Sequence, residues 1–350
     1  MDLPAGTRNY AYAEDMAIFR TKTHWAMLIL LLVVLFTLPL WMGNRWLSVS
    51  NLILITIITV TGLNILTGYC GQLSIGHAGF VAVGAYTSAV LTSRLDLPFP
   101  IAFISAGLLA GLVGLVFGIP SVRVKGFYLA ISTIAAQIII IWVIEHWTSV
   151  TGGHNGMIAP VATLGGISFD SQTSQFYLIL IITVLVIFGA KNLARTRVGR
   201  AFVAVRDNDL AAEVMGINLF RYKLLAFFIG CFLAGIAGSL MAHCYWGSLS
   251  HENFPVSDSI IWVGMIIIGG LGTTIGPIFG VLFIRLLEQL ITYLSPMLES
   301  AFALPAGFTT GIGPVIFGLA IILFLILEPR GISHRWQLFK ASYRLWPFSY

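Results

Sequence analysis

Long, continuous apolar runs dominate the chain. Stretches such as Leu28 to Phe36 and Ile138 to Ile144 contain only apolar residues. A bilayer core of about 30 Å takes roughly 20 apolar residues per helix, whereas the strands of a membrane barrel alternate apolar and polar residues. The pattern therefore predicts an all-α fold, a polytopic transmembrane helical bundle. We expect ten spans, at residues 25–42, 47–67, 72–92, 100–119, 126–147, 176–190, 223–246, 257–269, 276–294 and 313–328.

The glycine-rich segment 269–276 decides the number of spans in the second half. One helix over 257–294 would be about 57 Å long at 1.5 Å per residue, which is too long for a single crossing. Four glycines followed by Pro277 interrupt it, and such residues break helices. We therefore expect two spans joined by a tight turn.

Composition and charge agree with a membrane protein and assign its sides. Charged residues make up 9% of the chain and apolar residues 58%, whereas soluble domains carry about 25% charged residues. With the N-terminus inside, 16 of the 19 Lys and Arg residues fall on the inner side, and the outer loops 148–175, 247–256 and 295–312 contain none. The positive-inside rule therefore places both termini in the cytoplasm. Topology explains the net charge of +5 better than nucleic-acid binding does.

Three regions follow from this reading. They are a cytoplasmic N-terminal tail over 1–24, a transmembrane domain over 25–329 and a cytoplasmic C-terminal tail over 330–350. The first apolar run, Trp25 to Met42, is followed by no small-residue cleavage site, so we interpret it as a retained helix and not a signal peptide.

Segment 68–86 is unusually rich in glycine and polar side chains for a membrane span. Irregular or polar backbone survives at that depth where protein buries it or where it lines a wet cavity. One interpretation is a broken helix that lines a translocation pathway, and the other is close helix packing through small residues. The candidate pathway residues are Gln72, Ser74, His77 and Tyr86, with Ser132, Thr133 and Gln137 of the fifth span as secondary candidates.

An inverted repeat would give each half of the chain one interrupted span. On this hypothesis, segments 68–86 and 269–280 are the corresponding breaks.

The segment 191–222 is the longest predicted inner connection. Asp207, Asn208 and Asp209 suit a helix N-terminus, and Gly216 suits a C-terminal cap. We predict a short helix at about 210–215 that lies parallel to the membrane and docks on a soluble partner. The alternative is a solvated linker.

This segment also resembles the coupling loop of ABC importer permeases, which has the form E-A-A, three residues, then G. Ala211, Ala212 and Gly216 fit that spacing, although Leu210 replaces the glutamate. Segments 68–80, 148–156, 200–223 and 269–277 resemble signatures of the branched-chain amino acid permease family, in its M-type subunit. These matches run in family order from about residue 50 to 329.

The resemblance implies a permease subunit that imports branched-chain amino acids by alternating access in a bacterial inner membrane. Its implied partners are a second, homologous permease subunit, two cytoplasmic ATP-binding subunits and a periplasmic substrate-binding protein. The chain has no P-loop motif, so partner subunits would bind ATP. We expect no cofactor, metal site or enzymatic activity in this chain itself. The implied coupling residues are Arg206, Asp207, Asn208, Ala211, Ala212, Glu213 and Gly216, with Arg206, Asp207 and Glu213 forming ion pairs at the partner's rim.

The outer loop would meet the binding protein through Thr151, Gly152, Gly153 and Asn155, unless these residues form only a turn. Arg285 and Glu288, one turn apart in the ninth span, are expected to pair structurally, and substrate binding by Arg285 is the alternative. Two other functions stay open. One is import of urea or a short-chain amide by a permease of the same family, and the other is ion-coupled secondary transport.

Overall fold

The computed structural model describes residues 22–122, 126–301 and 308–345. Most of the predicted N-terminal tail lies outside these ranges. The α-helices of the described residues are α1 (Lys22–Trp41), α2 (Asn44–Leu63), α3 (His77–Ser93), α4 (Phe99–Val122), α5 (Phe127–His146), α6 (Thr148–Thr151), α7 (Gln172–Arg195), α8 (Arg197–Asp207), α9 (Asp209–Val214), α10 (Leu219–Met241), α11 (Val256–Gly269), α12 (Gly276–Ala301), α13 (Phe308–Leu327) and α14 (Ile332–Leu345). The all-α bundle is confirmed.

Each predicted span coincides with a helix, but not every helix is long enough to cross a bilayer by itself. Six are long and apolar enough: α2, α4, α5, α7, α10 and α12. A seventh follows if α13 and α14, bent by 44° at their junction, count as one span. Helix α3 has 17 residues and α11 has 14, because each adjoins a break in the chain. The count of ten crossings therefore stays a prediction.

Helix α10 lies at the centre of the bundle, against α2, α3 and α4. Small residues allow this close packing, since a Cβ on Gly84 would overlap the backbone of Gly235. Close backbone approach through small residues is typical of membrane bundles, where helix association gains little from the hydrophobic effect. The outward faces of the surrounding helices carry exposed large apolar side chains such as Leu109 and Ile139, as a lipid-facing surface requires.

Loops that the charge pattern assigns to one side of the membrane do lie together. At the outer end, β1 (Met157–Ile158) pairs with β4 (Ser248–Leu249), and β2 (Thr163–Leu164) forms a hairpin with β3 (Ile167–Ser168). At the opposite end, α8 contacts the connection between α2 and α3. Gly331, before α14, packs there against Gly270 of the connection between α11 and α12.

The connection after α2 and the connection after α10 have the same local build. Both long helices end in a π-helical turn, over Asn64–Tyr69 and Ala242–Trp246. The sequence Tyr-x-Gly-x-Leu-Ser begins at the end of each turn, at 69–74 and 245–250. Each central glycine has a left-handed backbone, with φ of 72° at Gly71 and 68° at Gly247. A short helix, α3 or α11, comes next.

This match revises the inverted-repeat hypothesis. Helices α2 and α10 pack side by side, with Gly62 against Gly230, and their C-terminal ends lie at opposite ends of the bundle. The break that corresponds to segment 69–76 is therefore 245–255 at the outer end, and not 269–280. The interrupted segment 269–280 instead lies at the same end as the first break, and the two are in contact.

Candidate functional site

The predicted coupling helix is present with the predicted caps. The Asn208 side chain accepts a hydrogen bond from the Ala211 N–H at 3.1 Å and so caps the N-terminus of α9. At the other end, Gly216 has φ of 83°, and its N–H bonds the Glu213 carbonyl while the Ile217 N–H bonds the Ala212 carbonyl. This pair of bonds is a Schellman motif, which satisfies the last carbonyls of the helix. The linker alternative is therefore wrong for 208–217.

Helix α9 has one face on the bundle and one face exposed. Ala212 is buried, whereas Leu210, Val214 and Met215 are exposed over 68%, 87% and 81% of their surface. The sequence-based set of coupling residues missed these three side chains. Leu210 and Val214 are four residues apart and share a helix face. This spacing was the sequence feature that could have identified them. We call Leu210, Val214 and Met215 the apolar tip.

An open groove of about 540 Å³ lies beside the apolar tip. Its lining includes Leu210, Phe220, Glu213 and Asp209. The nearly buried Lys223 at its base lies 3.8 Å from the Asp209 carboxylate. The groove thus combines an apolar wall with fixed charges, which is the anatomy of a docking surface for another protein.

Arg206 connects the coupling segment to the membrane domain. One guanidinium nitrogen donates a hydrogen bond to the Gly68 carbonyl at 2.9 Å, and another lies 2.8 Å from the Asp207 carboxylate. Its side chain also contacts Gly71 and Gly272. Arg206 thus bonds within this chain while its side chain stays partly exposed, and the ion pair expected with a partner stays a prediction. Asp207 and Glu213 remain exposed.

The first break, after α2, is bonded to the interrupted segment between α11 and α12, next to Arg206. Asn64 donates to the Thr273 carbonyl at 2.9 Å and accepts from the Gly272 N–H at 3.0 Å. The Tyr69 hydroxyl lies 3.1 Å from the Thr274 hydroxyl. We call this contact between segments 64–71 and 272–274, with Arg206 on top, the inner junction. The inner junction therefore joins α8 to the connection between α2 and α3 and to the connection between α11 and α12.

The structure divides the predicted pathway residues into two groups. Thr133 accepts a hydrogen bond from the Ile75 N–H and so fixes the inner part of the first break. Gln137 lies further out, where it bonds the Phe254 carbonyl and the Ser259 hydroxyl. Ser132 is half-buried. Thr133 thus bonds the broken third span to α5, and Gln137 bonds α5 to Ser259 of α11, whose hydroxyl accepts a hydrogen bond from the Ala78 N–H of the third span.

The other four candidates keep buried hydrogen-bonding capacity. Within the described residues, no well-formed hydrogen bond reaches the Gln72 Oε1, the Ser74 and Tyr86 hydroxyls or the ring nitrogens of His77. A buried polar atom without a partner costs about 1–3 kcal/mol, so such a concentration is unusual for a helix that serves packing alone.

A cavity of about 170 Å³ lies near the outer end, between α2, α10, α11 and α12. Its lining residues are Leu52, Met241, Tyr245, Trp246, Asn253, Phe254, Asp258, Trp262 and Arg285. None of the predicted pathway residues lines it. His77 and Tyr86 stand directly behind its wall, in ring contact with Trp262 and Phe254 respectively. The predicted pathway residues therefore lie one layer behind this cavity, and their role in translocation stays a prediction.

Arg285 at this cavity pairs with Glu288 at 2.8 Å, as predicted. It also donates to the Thr56 hydroxyl at 3.2 Å. The sequence analysis predicted this pair but missed the longer polar stripe along α12 to which the pair belongs. Arg285, Glu288, Gln289 and Thr292 repeat at helical spacing along α12.

The predicted binding-protein loop is a tight turn at the outer end. Thr151 is buried and bonds the carbonyls of Ile144 and Trp147, and Gly153 is buried beside it. Gly152 is half-buried and Asn155 exposed. The turn alternative therefore accounts for Thr151 and Gly153, while Asn155 remains available to a partner.

Three further polar side chains meet beside this turn, although they are far apart in the sequence. Glu145, His154 and His251 place ligand-type atoms within 4.8 Å of one another. His154 lies 3.1 Å from the Glu145 carboxylate. No sequence spacing predicts this group, because three different elements contribute to it.

Comparison with known proteins identifies a family for this chain. Residues 45–327 match the family described as the permease component of branched-chain amino acid transport systems. The chain is 31% identical over 288 residues to the high-affinity branched-chain amino acid transport system permease protein LivM of Escherichia coli, covering 75% of this chain and 68% of that protein. Two Methanocaldococcus jannaschii proteins described as probable branched-chain amino acid transport permeases are also similar. The M. jannaschii LivM is 24% identical, and the match covers 66% of this chain and 67% of that protein. The M. jannaschii LivH is 26% identical, and the match covers 73% of this chain and 81% of that protein.

No solved structure matches the chain significantly. The family match covers most of the chain, including both breaks, the coupling segment and the cavity. The chain therefore belongs to the permease components of branched-chain amino acid transport systems.

Proposed function

We propose that this chain is one of two permease subunits that form the pore of an ATP-driven importer for branched-chain amino acids. The inner junction is the observation that carries the proposal. A soluble partner that binds the apolar tip moves α8 and α9, and Arg206 transmits that movement to Gly68 and Gly272. A transporter driven by ions alone has no need of such a docking helix.

The mechanism we propose is alternating access. A ligand shifts a conformational equilibrium only through its different affinity for the two states. ATP, bound by the partner subunits, would favour one arrangement of the coupling helices and thereby one arrangement of the spans. The residues for this role are those of the predicted coupling set, with Arg206 as the internal link and the apolar tip as the contact surface.

The proposed assembly follows the family resemblance and the geometry of the two ends. A second permease subunit would complete the pore, two ATP-binding subunits would dock at the apolar tip, and a substrate-binding protein would reach the outer loops near Asn155. The charge pattern supports a cytoplasmic position of the apolar tip, and the family match supports a bacterial inner membrane for the complex.

The docking step can be tested with Val214→Asp. Val214 is 87% exposed at the apolar tip, so the substitution leaves the fold intact while placing a charge in the proposed interface. We expect the ATP-binding subunits to be lost when the complex is purified in mild detergent, together with uptake. Ile167→Asp, at a 65% exposed residue of the outer hairpin, is the matched control and should change neither.

Retention of the ATP-binding subunits by Val214→Asp would contradict this docking site. Ala212→Arg is a poorer probe, because Ala212 is buried and its enlargement would disturb the bundle.

The substrate is tested by uptake of labelled leucine and labelled urea into proteoliposomes that contain the complete transporter and its binding protein. We expect ATP-dependent uptake of leucine and none of urea. Uptake of urea alone would replace the amino acid by urea or a related amide. Uptake that follows an ion gradient without ATP would establish secondary transport instead.

A further inference from the structure

The outer cavity has a lining that is unusual for the interior of a membrane bundle. It places one carboxylate, Asp258, and one guanidinium, Arg285, in the same enclosure as aromatic and aliphatic side chains. Charges at membrane depth are costly, and those that persist mark functional pathways or internal pairs. The Arg285–Glu288 pair accounts for part of the charge, but it leaves two features unexplained.

The first feature is the unused capacity of the Arg285 guanidinium. This group has five N–H donors. Two are used, by Glu288 and Thr56. The Nε atom is buried and has no hydrogen-bond partner among the described residues. The guanidinium therefore retains donors for a carboxylate. Among side chains, the arginine guanidinium is the best suited to bind a carboxylate.

The second feature is Asp258. Its side chain is half-buried in the first turn of α11. Among the residues that the structure describes, it makes no hydrogen bond and no salt bridge within 4.0 Å. Arg285 lines the same cavity as Asp258, so Asp258 lies near the Arg285–Glu288 pair without joining it. A carboxylate so placed would bind an ammonium group.

The rest of the wall is apolar. Leu52, Met241, Phe254 and Trp262 contribute it, and Trp246 packs edge-on against Phe254 at 5.2 Å. A cavity of about 150 Å³ holds a molecule the size of benzene, so this one, at about 170 Å³, suits a small metabolite.

We infer that the cavity is a transient site for the zwitterion of a small apolar α-amino acid. Arg285 binds the carboxylate, Asp258 binds the ammonium, and the apolar wall receives the side chain. The inference rests on the proposed function and adds the place in this chain where the substrate binds and the residues that hold it. Urea has neither charge and would leave both side chains without a partner, so this chemistry favours the amino acid.

A protection experiment tests the site without relying on the binding protein. Leu52→Cys introduces a thiol into the cavity wall, and the three native cysteines are buried, so the new thiol should react first with methanethiosulfonate ethylammonium. In the purified complete complex, millimolar leucine should slow this reaction at least tenfold. Urea, 4-methylpentanoate (without the ammonium) and leucinamide (without the carboxylate) should protect at least tenfold less well.

Leu95→Cys is the matched control, since Leu95 is 61% exposed in the loop before α4. Leucine should not slow its modification. Equal slowing at both positions, or none at Leu52→Cys, would overturn the site.

A charge-neutral substitution identifies the role of Asp258. Loss of one charge-assisted hydrogen bond weakens binding by about tenfold or more. We therefore expect Asp258→Asn, in the Leu52→Cys background, to weaken protection by leucine about tenfold and to reduce the preference for leucine over 4-methylpentanoate by the same factor. A purely structural role would weaken protection by both compounds alike and leave that preference unchanged.

Asp96→Asn is the control for this substitution. Asp96 is an exposed loop residue with φ of 48°, a conformation that Asn also tolerates, and its substitution should leave the preference unchanged.

Uptake by the unmodified complex separates failure of the site from failure of the proposed function. If the complex imports leucine but leucine does not protect the cavity, this inference alone is wrong. If the complex does not import leucine at all, the proposed function is wrong as well.

Discussion

The two Tyr-x-Gly-x-Leu-Ser breaks share a sequence pattern and a backbone turn but have opposite surroundings. Tyr69 of the inner break is 7% exposed and bonded to Thr274. Tyr245 of the outer break is 38% exposed and lines the cavity. The same backbone turn therefore has a buried, hydrogen-bonded tyrosine at the inner end and a partly exposed tyrosine beside the cavity at the outer end.

The difference shows how one local design can serve two tasks. The inner break is held by hydrogen bonds from Arg206, Asn64 and Tyr69, so it can transmit a displacement with little loss. The outer break borders side chains with unused donors and acceptors, Arg285 and Asp258, which is what a binding site requires. The hydrogen bonds of the inner break favour transmission, even though the Gln72 Oε1 and the Ser74 hydroxyl within it have no hydrogen-bond partner among the described residues. The unused groups at the outer break favour recognition.

Gly68→Ala should have the largest effect and would break the comparison at the inner end. A Cβ on Gly68 would meet the Gly272 backbone nitrogen at 2.5 Å and would overlap the Asn64 side chain. Backbone groups cannot move aside as a side chain does. We therefore expect the free energy of unfolding to decrease by at least about 3 kcal/mol, the upper end of ordinary overpacking. Thermal unfolding in detergent should show a large decrease in the midpoint, with loss of uptake.

The control for Gly68→Ala is Gly43→Ala, which adds the same methyl group. Gly43 precedes α2, has φ of −72° and has no atom within 4 Å of the added carbon. An unchanged midpoint for Gly68→Ala would mean that the inner junction is not tightly packed.

Arg206→Lys should come next in effect and would separate transmission from stability. The planar guanidinium reaches Gly68 and Asp207 together, and an ammonium cannot reproduce that fork. We expect leucine uptake per ATP hydrolysed to decrease about tenfold, while the ATP-binding subunits stay bound. Measuring uptake and ATP hydrolysis in the same proteoliposomes tests this.

Arg221→Lys is the control for coupling. Arg221 is exposed at the start of α10, and its substitution should leave the ratio of uptake to hydrolysis unchanged. An unchanged ratio for Arg206→Lys would remove Arg206 from the proposed transmission.

Paired Tyr→Phe substitutions have the smallest expected effect and compare the two breaks directly. Tyr69→Phe removes the hydrogen bond to Thr274 and should cost about 1 kcal/mol. Tyr245→Phe removes a hydroxyl with no hydrogen-bond partner among the described residues and should cost nothing measurable. Equal losses of stability would show that the breaks do not differ in the way described.

Some parts of the site were predictable because they are local. The N-cap at Asn208, the C-cap at Gly216 and the Arg285–Glu288 pair all join residues within five positions of each other. Backbone geometry alone brings such groups together. The glycine-rich break before α3 was predictable for the same reason.

Other parts depend on contacts between distant segments. The inner junction joins Gly68, Arg206 and Gly272, and the cavity joins Leu52 of α2 with Asp258 of α11 and Arg285 of α12. No spacing in the sequence relates these residues, and the correct repeat partner of the first break became clear from the shared π-helical turns.

The sequence by itself determined the class of protein, the positions of the helices and the presence of the short capped helix α9, since apolar content, helix-breaking residues and capping side chains act over a few residues. Tertiary structure decided which break meets Arg206, which face of α9 is exposed and which charges share a cavity. Those outcomes depend on how the helices pack around α10, where small residues set the approach of backbones. A pattern along one chain does not contain that three-dimensional arrangement.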